Sequence, residues 1–163
     1  FPLVRMIRRR GVVSATAVSS SARLMTEADL SAVTKLDAQA NGVERTPMLR
    51  WLLTHAPARA WVATGAGGAI TGFAFGRPGE NFDQIGPVSA SDSATAIALL
   101  QSAIAATDGK PVGVDIYPHP DWQLWLERNG FVEERRFMRM TKGTAQVRER
   151  LELLFAIAGP ELS

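Results

Sequence analysis

Residues 82–107 constrain the fold more than any other stretch of the chain. Phe82-Asp83-Gln84-Ile85-Gly86-Pro87-Val88 reads as a short apolar strand, and Gly86-Pro87 with the small residues that follow reads as a break. Residues 92–107 then form an amphipathic helix: Ala96, Leu99, Leu100, Ala103 and Ile104 follow i, i+3, i+4, i+7, i+8 spacing, which is one helical face. Ser91 or Asp92 offers an oxygen to cap the first amides. A strand that feeds a helix with open N-terminal amides is a place to hold an anion. The same pattern also describes an ordinary βα unit in a mixed sheet.

The flanking sequence supplies the rest of such a sheet. Arg23-Leu24-Met25 reads as a strand, and Thr26-Glu27-Ala28-Asp29 as a capping box, with a hydroxyl at the cap and a carboxylate three residues on. The helix it opens carries Leu30, Val33 and Leu36 and stops at Asn41-Gly42. Thr46-Pro47 opens a second helix, apolar at Met48, Leu49, Leu52 and Leu53 and closed by Pro57. Strands 60–64 and 69–77 are joined by the turn Gly65-Ala66-Gly67-Gly68, and Pro78-Gly79-Glu80-Asn81 leads into strand 82–88, so an antiparallel meander is expected. The mostly apolar strand 111–116 is expected to be central and parallel to 82–88. Asp121 caps a helix over 122–129 that ends at Gly130. A strand of mixed polarity follows over 131–140, then a charged helical turn over 144–150 and a strand over 153–158. The order β-α-α-β-β-β-α-β-α-β-β specifies an α+β fold, a mixed, mostly antiparallel sheet flanked by helices.

Residues 1–22 read as a basic arm or linker, and 23–163 as one domain. Arg5, Arg8, Arg9, Arg10 and Arg23 precede the first acid, Glu27, so of a net charge of +2 the stretch 27–163 carries −3. Three readings of the arm compete: an organelle transit peptide, an arm for nucleic acid or an acidic partner, and the tail of a preceding domain, which is favoured. Phe1 to Ile7 could form a strand, and Leu3-Val4-Arg5-Met6-Ile7-Arg8 echoes Phe137-Met138-Arg139-Met140-Thr141-Lys142. Without cysteine there is no disulfide scaffold, thiol nucleophile or thiolate metal site, which fits a cytoplasmic protein. His55 and His119 lie far apart, so no metal is expected. No apolar run approaches the roughly 20 residues of a membrane span.

This order resembles the GNAT superfamily of N-acetyltransferases over residues 23–158. Arg23-Leu24-Met25-Thr26-Glu27-Ala28-Asp29-Leu30 resembles the family's opening strand and helix, Ile70-Thr71-Gly72-Phe73-Ala74 the strand after its hairpin, and Leu126-Glu127-Arg128-Asn129-Gly130-Phe131 the end of its fourth helix. Arg77-Pro78-Gly79, Ile85-Gly86-Pro87-Val88, Gly130-Phe131, Arg139-Met140 and Ala156-Ile157-Ala158-Gly159-Pro160-Glu161-Leu162 resemble the C-terminal module of bacterial tandem GNAT proteins. The resemblance implies a transferase of the acyltransferase class that uses acetyl-CoA as co-substrate and acetylates an amine of a small molecule or protein. It also implies that a preceding GNAT domain or a homodimer are the natural partners. Pantetheine would lie along Ile85, Gly86, Val88, Ser89 and Ala90, and pyrophosphate on the amides of Ser91, Ser93, Ala94 and Thr95.

Acetyl transfer to an amine asks for a base and for an acid to protonate the leaving thiolate. Asp83 is the candidate base, with Glu80 second, and Tyr117 and His119 are the candidate acids. Each also has a structural reading: turn carboxylates for the first pair, capping or packing for the second. Asp115, inside an apolar strand, needs a partner if buried. The family's Q/R-x-x-G-x-G/A loop is absent, Asp92 stands where a positive charge is usual, and Leu126 stands where the family has a tyrosine. These departures favour an alternative reading, a catalytically degenerate GNAT module that serves as a structural or partner domain. A second alternative is nucleic-acid binding through the basic arm.

Overall fold

The computed structural model describes residues 2–8, 22–138, 140 and 148–160. These form one eight-stranded sheet in the order β2-β3-β4-β5-β8-β6-β1-β7, where β1 is Pro2–Arg8, β2 Ala22–Leu24, β3 Ala60–Thr64, β4 Ile70–Arg77, β5 Asp83–Ala90, β6 Val112–Ile116, β7 Phe131–Met138 and β8 Leu154–Ala156. The helices are α1 (Leu30–Asn41), α2 (Thr46–His55), α3 (Ser93–Ala105) and α4 (Pro120–Arg128). Pairing is antiparallel throughout except between β5 and β6, which run parallel over Asp83–Ile85 and Val112–Val114 with α3 as their crossover.

Local chemistry sets the element ends. Asp29 accepts from the Thr26 amide at 2.8 Å and the Thr26 hydroxyl at 2.9 Å, and is clasped by both terminal nitrogens of Arg23. That clasp holds the Asp29 carboxyl well below the ordinary carboxylate range. α1 ends at Gly42, whose φ of 72° suits glycine, and its amide reaches back to the Ala38 carbonyl. At α3, Asp92 accepts from the Thr95 amide at 2.8 Å. α4 begins two residues earlier than expected: Pro120 opens it, and Asp121 sits in its first turn rather than at the cap.

Alternation along β4 divides the core between two faces. Phe73 and Phe75 pack with Leu30, Val33, Leu49 and Leu52 from α1 and α2. Ala74 points the other way, to Leu99, Leu100 and Ala103 of α3 and to Trp122 and Leu126 of α4.

Two features go beyond the expected plan. Pro2–Arg8 is a strand within the sheet, not an arm beside it, so Arg5 and Arg8 are withdrawn from any basic arm: Arg8 is 7% exposed, and Arg5 is paired inside. Residues 9–21 and the helical turn expected over 144–150, apart from 148–150, lie outside the described residues. The second feature is the position of β8, which the sequence reading left open and which lies between β5 and β6.

Candidate functional site

β5 and β6 pair directly only near Asp83–Ile85, then separate, leaving a wedge in the sheet that widens toward α3. β8 fills that wedge. Val88 pairs with Ala156 and Ser89 with Leu154 on one side, and Ile116 pairs with Ala156 on the other. The Tyr117 amide donates to the Phe155 carbonyl at 3.0 Å, and the Ile157 amide donates to the Asp115 carbonyl at 2.9 Å. Arg77 donates to the Ala158 carbonyl at 3.0 Å. Residues 154–158 are all at most 5% exposed.

The surrounding sequence is shaped around this strand. Gly86 has φ 156°, and a Cβ there would overlap the Ile157 carbonyl. His119 stacks on Phe155 with ring centroids 4.2 Å apart, and its Nε2–H donates to the Leu154 carbonyl at 2.7 Å. Trp122 meets the Phe155 ring edge-on at 5.7 Å.

The sequence-derived site residues are therefore gathered around one wedge but committed to other partners. Ile85, Val88, Ser89 and Ala90 are at most 1% exposed. The Ser89 hydroxyl has no hydrogen-bond partner among the described residues and faces away from solvent. Tyr117 is buried, packed with Leu154 and Ile157. Asp83 is fully buried, holds the Arg59 guanidinium and accepts from the Gly79 amide at 3.3 Å, a structural ion pair beneath the turn. Glu80 is exposed on that turn. At the mouth, Ser91, Ser93, Ala94 and Thr95 remain at or near the surface, but the Ser91 amide donates to the Thr71 carbonyl and the Asp92 carboxylate takes the Thr95 amide. Its Oδ1 takes the Thr95 amide, its Oδ2 takes the Ser91 hydroxyl at 2.8 Å, and these bonds hold its carboxyl below the ordinary range.

Sequence reasoning missed the knot beside the wedge. Asp115, fully buried, receives Nε and Nη2 of Arg5 at 2.6 and 2.7 Å and the Gln84 amide at 3.2 Å. A lone acid in one apolar strand and an arginine flanked by apolar residues in another were the available signal. Among the described residues no three His, Asp or Glu side chains gather to hold a metal.

A mixed sheet that splays between two parallel strands, with a helix N-terminus at the mouth, is the architecture of an acyltransferase fold. The sequence matches the acetyltransferase (GNAT) domain family over residues 33–156, and the chain belongs to that family. Solved structures agree on the fold. A protein described as a GNAT-family acetyltransferase from Novosphingobium aromaticivorans is 21% identical, with TM-score 0.62 over 83% of this chain and 60% of its own. A GNAT N-acetyltransferase from Sphaerobacter thermophilus is 19% identical, with TM-score 0.62 over 83% and 49%. A protein from Pyrococcus horikoshii, described as an acetyltransferase, is 18% identical, with TM-score 0.68 over 98% and 50%. The chain spans half to three-fifths of the length of these three. No curated protein matches the sequence. Among the described residues no helix is long and apolar enough to cross a membrane.

The fold implies acetyl-CoA, and the residues present do not fit it. The edge of β5 expected to pair with pantetheine is paired to β8, and the Asp92 carboxylate sits at the α3 N-terminus on the Thr95 amide, where a diphosphate was expected.

Proposed function

We propose that this chain is part of an N-acetyltransferase acting on an amine of a small molecule or protein, and that within it this domain is the companion module, its own acyl-CoA cleft closed by β8. The observation that carries the reading is the insertion of residues 154–158 between β5 and β6, with Gly86, His119 and Asp115 each devoted to holding them. Asp92 supports it independently, because a carboxylate on the α3 amides excludes a diphosphate by charge as well as by space. The greater length of the related structures supports a two-module protein in which the chemistry is done elsewhere. The burial of Arg5 and Arg8 weighs against a nucleic-acid arm.

Calorimetric titration of the folded chain with acetyl-CoA tests this directly. No heat is expected up to millimolar ligand, and Asp92→Arg is expected not to restore binding, since β8 still fills the wedge. Micromolar binding by the unaltered chain would sink the companion reading and return the domain to the catalytic one. Hydrogen exchange at residues 154–158 is read in parallel. Slow exchange, unchanged by acetyl-CoA, is the expected result.

A further inference from the structure

β7 is the last strand on its side of the sheet, and among the described residues its outer edge pairs with nothing. Its inner edge runs against β1, and that register sorts its side chains between two faces. Val132, Arg135 and Phe137 lie level with Ile7, Arg5 and Leu3, alternate residues of β1 that share one face. Phe131, Glu133, Arg136 and Met138 lie level with Arg8, Met6, Val4 and Pro2, which share the other. Glu134 lies level with no residue of β1 and is the extra residue of a β-bulge. Residues three apart in a regular strand face opposite ways. Here the bulge puts Glu133 and Arg136 on one face, where Nε and Nη2 of Arg136 donate to the Glu133 carboxylate at 2.7 and 2.8 Å.

Phe131-Val132-Glu133-Glu134-Arg135-Arg136-Phe137-Met138 is complementary to its own reverse: two apolar residues, two acids, two bases, two apolar residues. Set against a second copy running the other way, it opposes Phe131 to Met138, Val132 to Phe137, Glu133 to Arg136 and Glu134 to Arg135. Opposed residues of an antiparallel pair share a face. The outer three pairs meet that condition only because of the bulge. At the centre, the Glu134 carboxylate has no hydrogen bond or ion pair among the described residues, and Arg135 rests on the Phe137 ring at 5.5 Å. Val132 and Met138 are 57% and 64% exposed, apolar side chains that the pairing covers. Charge guards an edge against its own copies when it is of one sign, since like charges then face each other. This edge instead carries acids and bases in the order that matches itself.

We propose that β7 is a homodimer interface: two copies of this chain pair antiparallel along residues 131–138, about a two-fold axis at Glu134 and Arg135, and join their sheets into one. No strand leaves its own chain, and the pairing holds whether or not the β5–β6 wedge admits acyl-CoA.

Charge reversal in both directions tests it. Glu133→Arg with Glu134→Arg leaves only bases at the centre of the edge, and Arg135→Glu with Arg136→Glu leaves only acids. All four side chains are exposed, so both double variants are expected to keep the circular-dichroism spectrum of the unaltered chain. Sedimentation velocity at tens of micromolar is expected to give a dimer for the unaltered chain, monomers for each double variant alone and a one-to-one heterodimer when the two are mixed. A monomeric unaltered chain overturns the proposal. Double variants that stay dimeric overturn it as well, because the dimer then rests on another surface, and so do monomeric variants that fail to combine. A second measurement needs no variant: amide exchange over residues 131–138 of the unaltered chain is expected to slow as protein concentration rises. Exchange there that does not change with concentration overturns the interface.

Discussion

β8 and β1 come from opposite ends of the chain, and each fills a gap in the same sheet, yet they are held by different chemistry. β8 offers only neutral groups of its own: a phenyl ring between His119 and Trp122, and carbonyls that receive the Tyr117 amide and the His119 ring, with Arg77 on the Ala158 carbonyl just beyond it. β1 is anchored by charge, through a carboxylate with no exposure to water. Asp115 serves both, giving its side chain to Arg5 and its backbone carbonyl to Ile157. Side-chain substitutions can therefore separate the two anchors, while the backbone of Asp115 couples them.

The sharpest way to break the comparison is at the two anchors. Phe155→Ala removes a buried ring and should cost about 3–5 kcal/mol in urea unfolding, with faster amide exchange at 154–158 while β1 stays protected. Arg5→Ala should cost a similar amount, about 3–5 kcal/mol, because it leaves a buried carboxylate unpaired. Its exchange signature is reversed, with β1 released and β8 retained. If both variants loosen both strands equally, the two insertions form a single cooperative unit. Gly86→Ala adds to about 1–3 kcal/mol of backbone strain the overlap of its Cβ with the Ile157 carbonyl, so β8 must shift, and fast exchange is expected there.

Asp92→Ala is the smallest. Loss of the α3 cap should cost about 1 kcal/mol at neutral pH and disturb neither strand. Because the Asp92 carboxyl titrates below its ordinary value in the folded chain, its contribution is complete above the usual carboxylate pKa of about 3.9. It then disappears as pH falls through the depressed folded value. Unfolding curves of the variant and the unaltered chain should therefore converge in strong acid.

Much of this architecture was legible in the sequence because it rests on local signals. The apolar spacing of Ala96, Leu99, Leu100 and Ala103, the caps at Thr26 and Asp92, and the stop at Gly42 are short-range choices that the fold keeps. The strand over 153–158 was legible too, but its position was not, since two parallel edges accept any apolar strand of the right length. Gly86 was the one hint, a glycine inside a strand where another backbone comes close. The candidate site failed to be legible for the opposite reason. Asp83 looks like an available carboxylate until Arg59, 24 residues away, is seen to fold over it.

The wedge has a consequence for solubility. With β8 in place, the facing edges of β5 and β6 are sealed along Val88, Ser89 and Ile116. If β8 pulls out, two apolar strand edges open at once and face each other, a template for pairing with any extended chain nearby. The last described strand thus covers both edges at once, so its retention and the burial of those edges are one event.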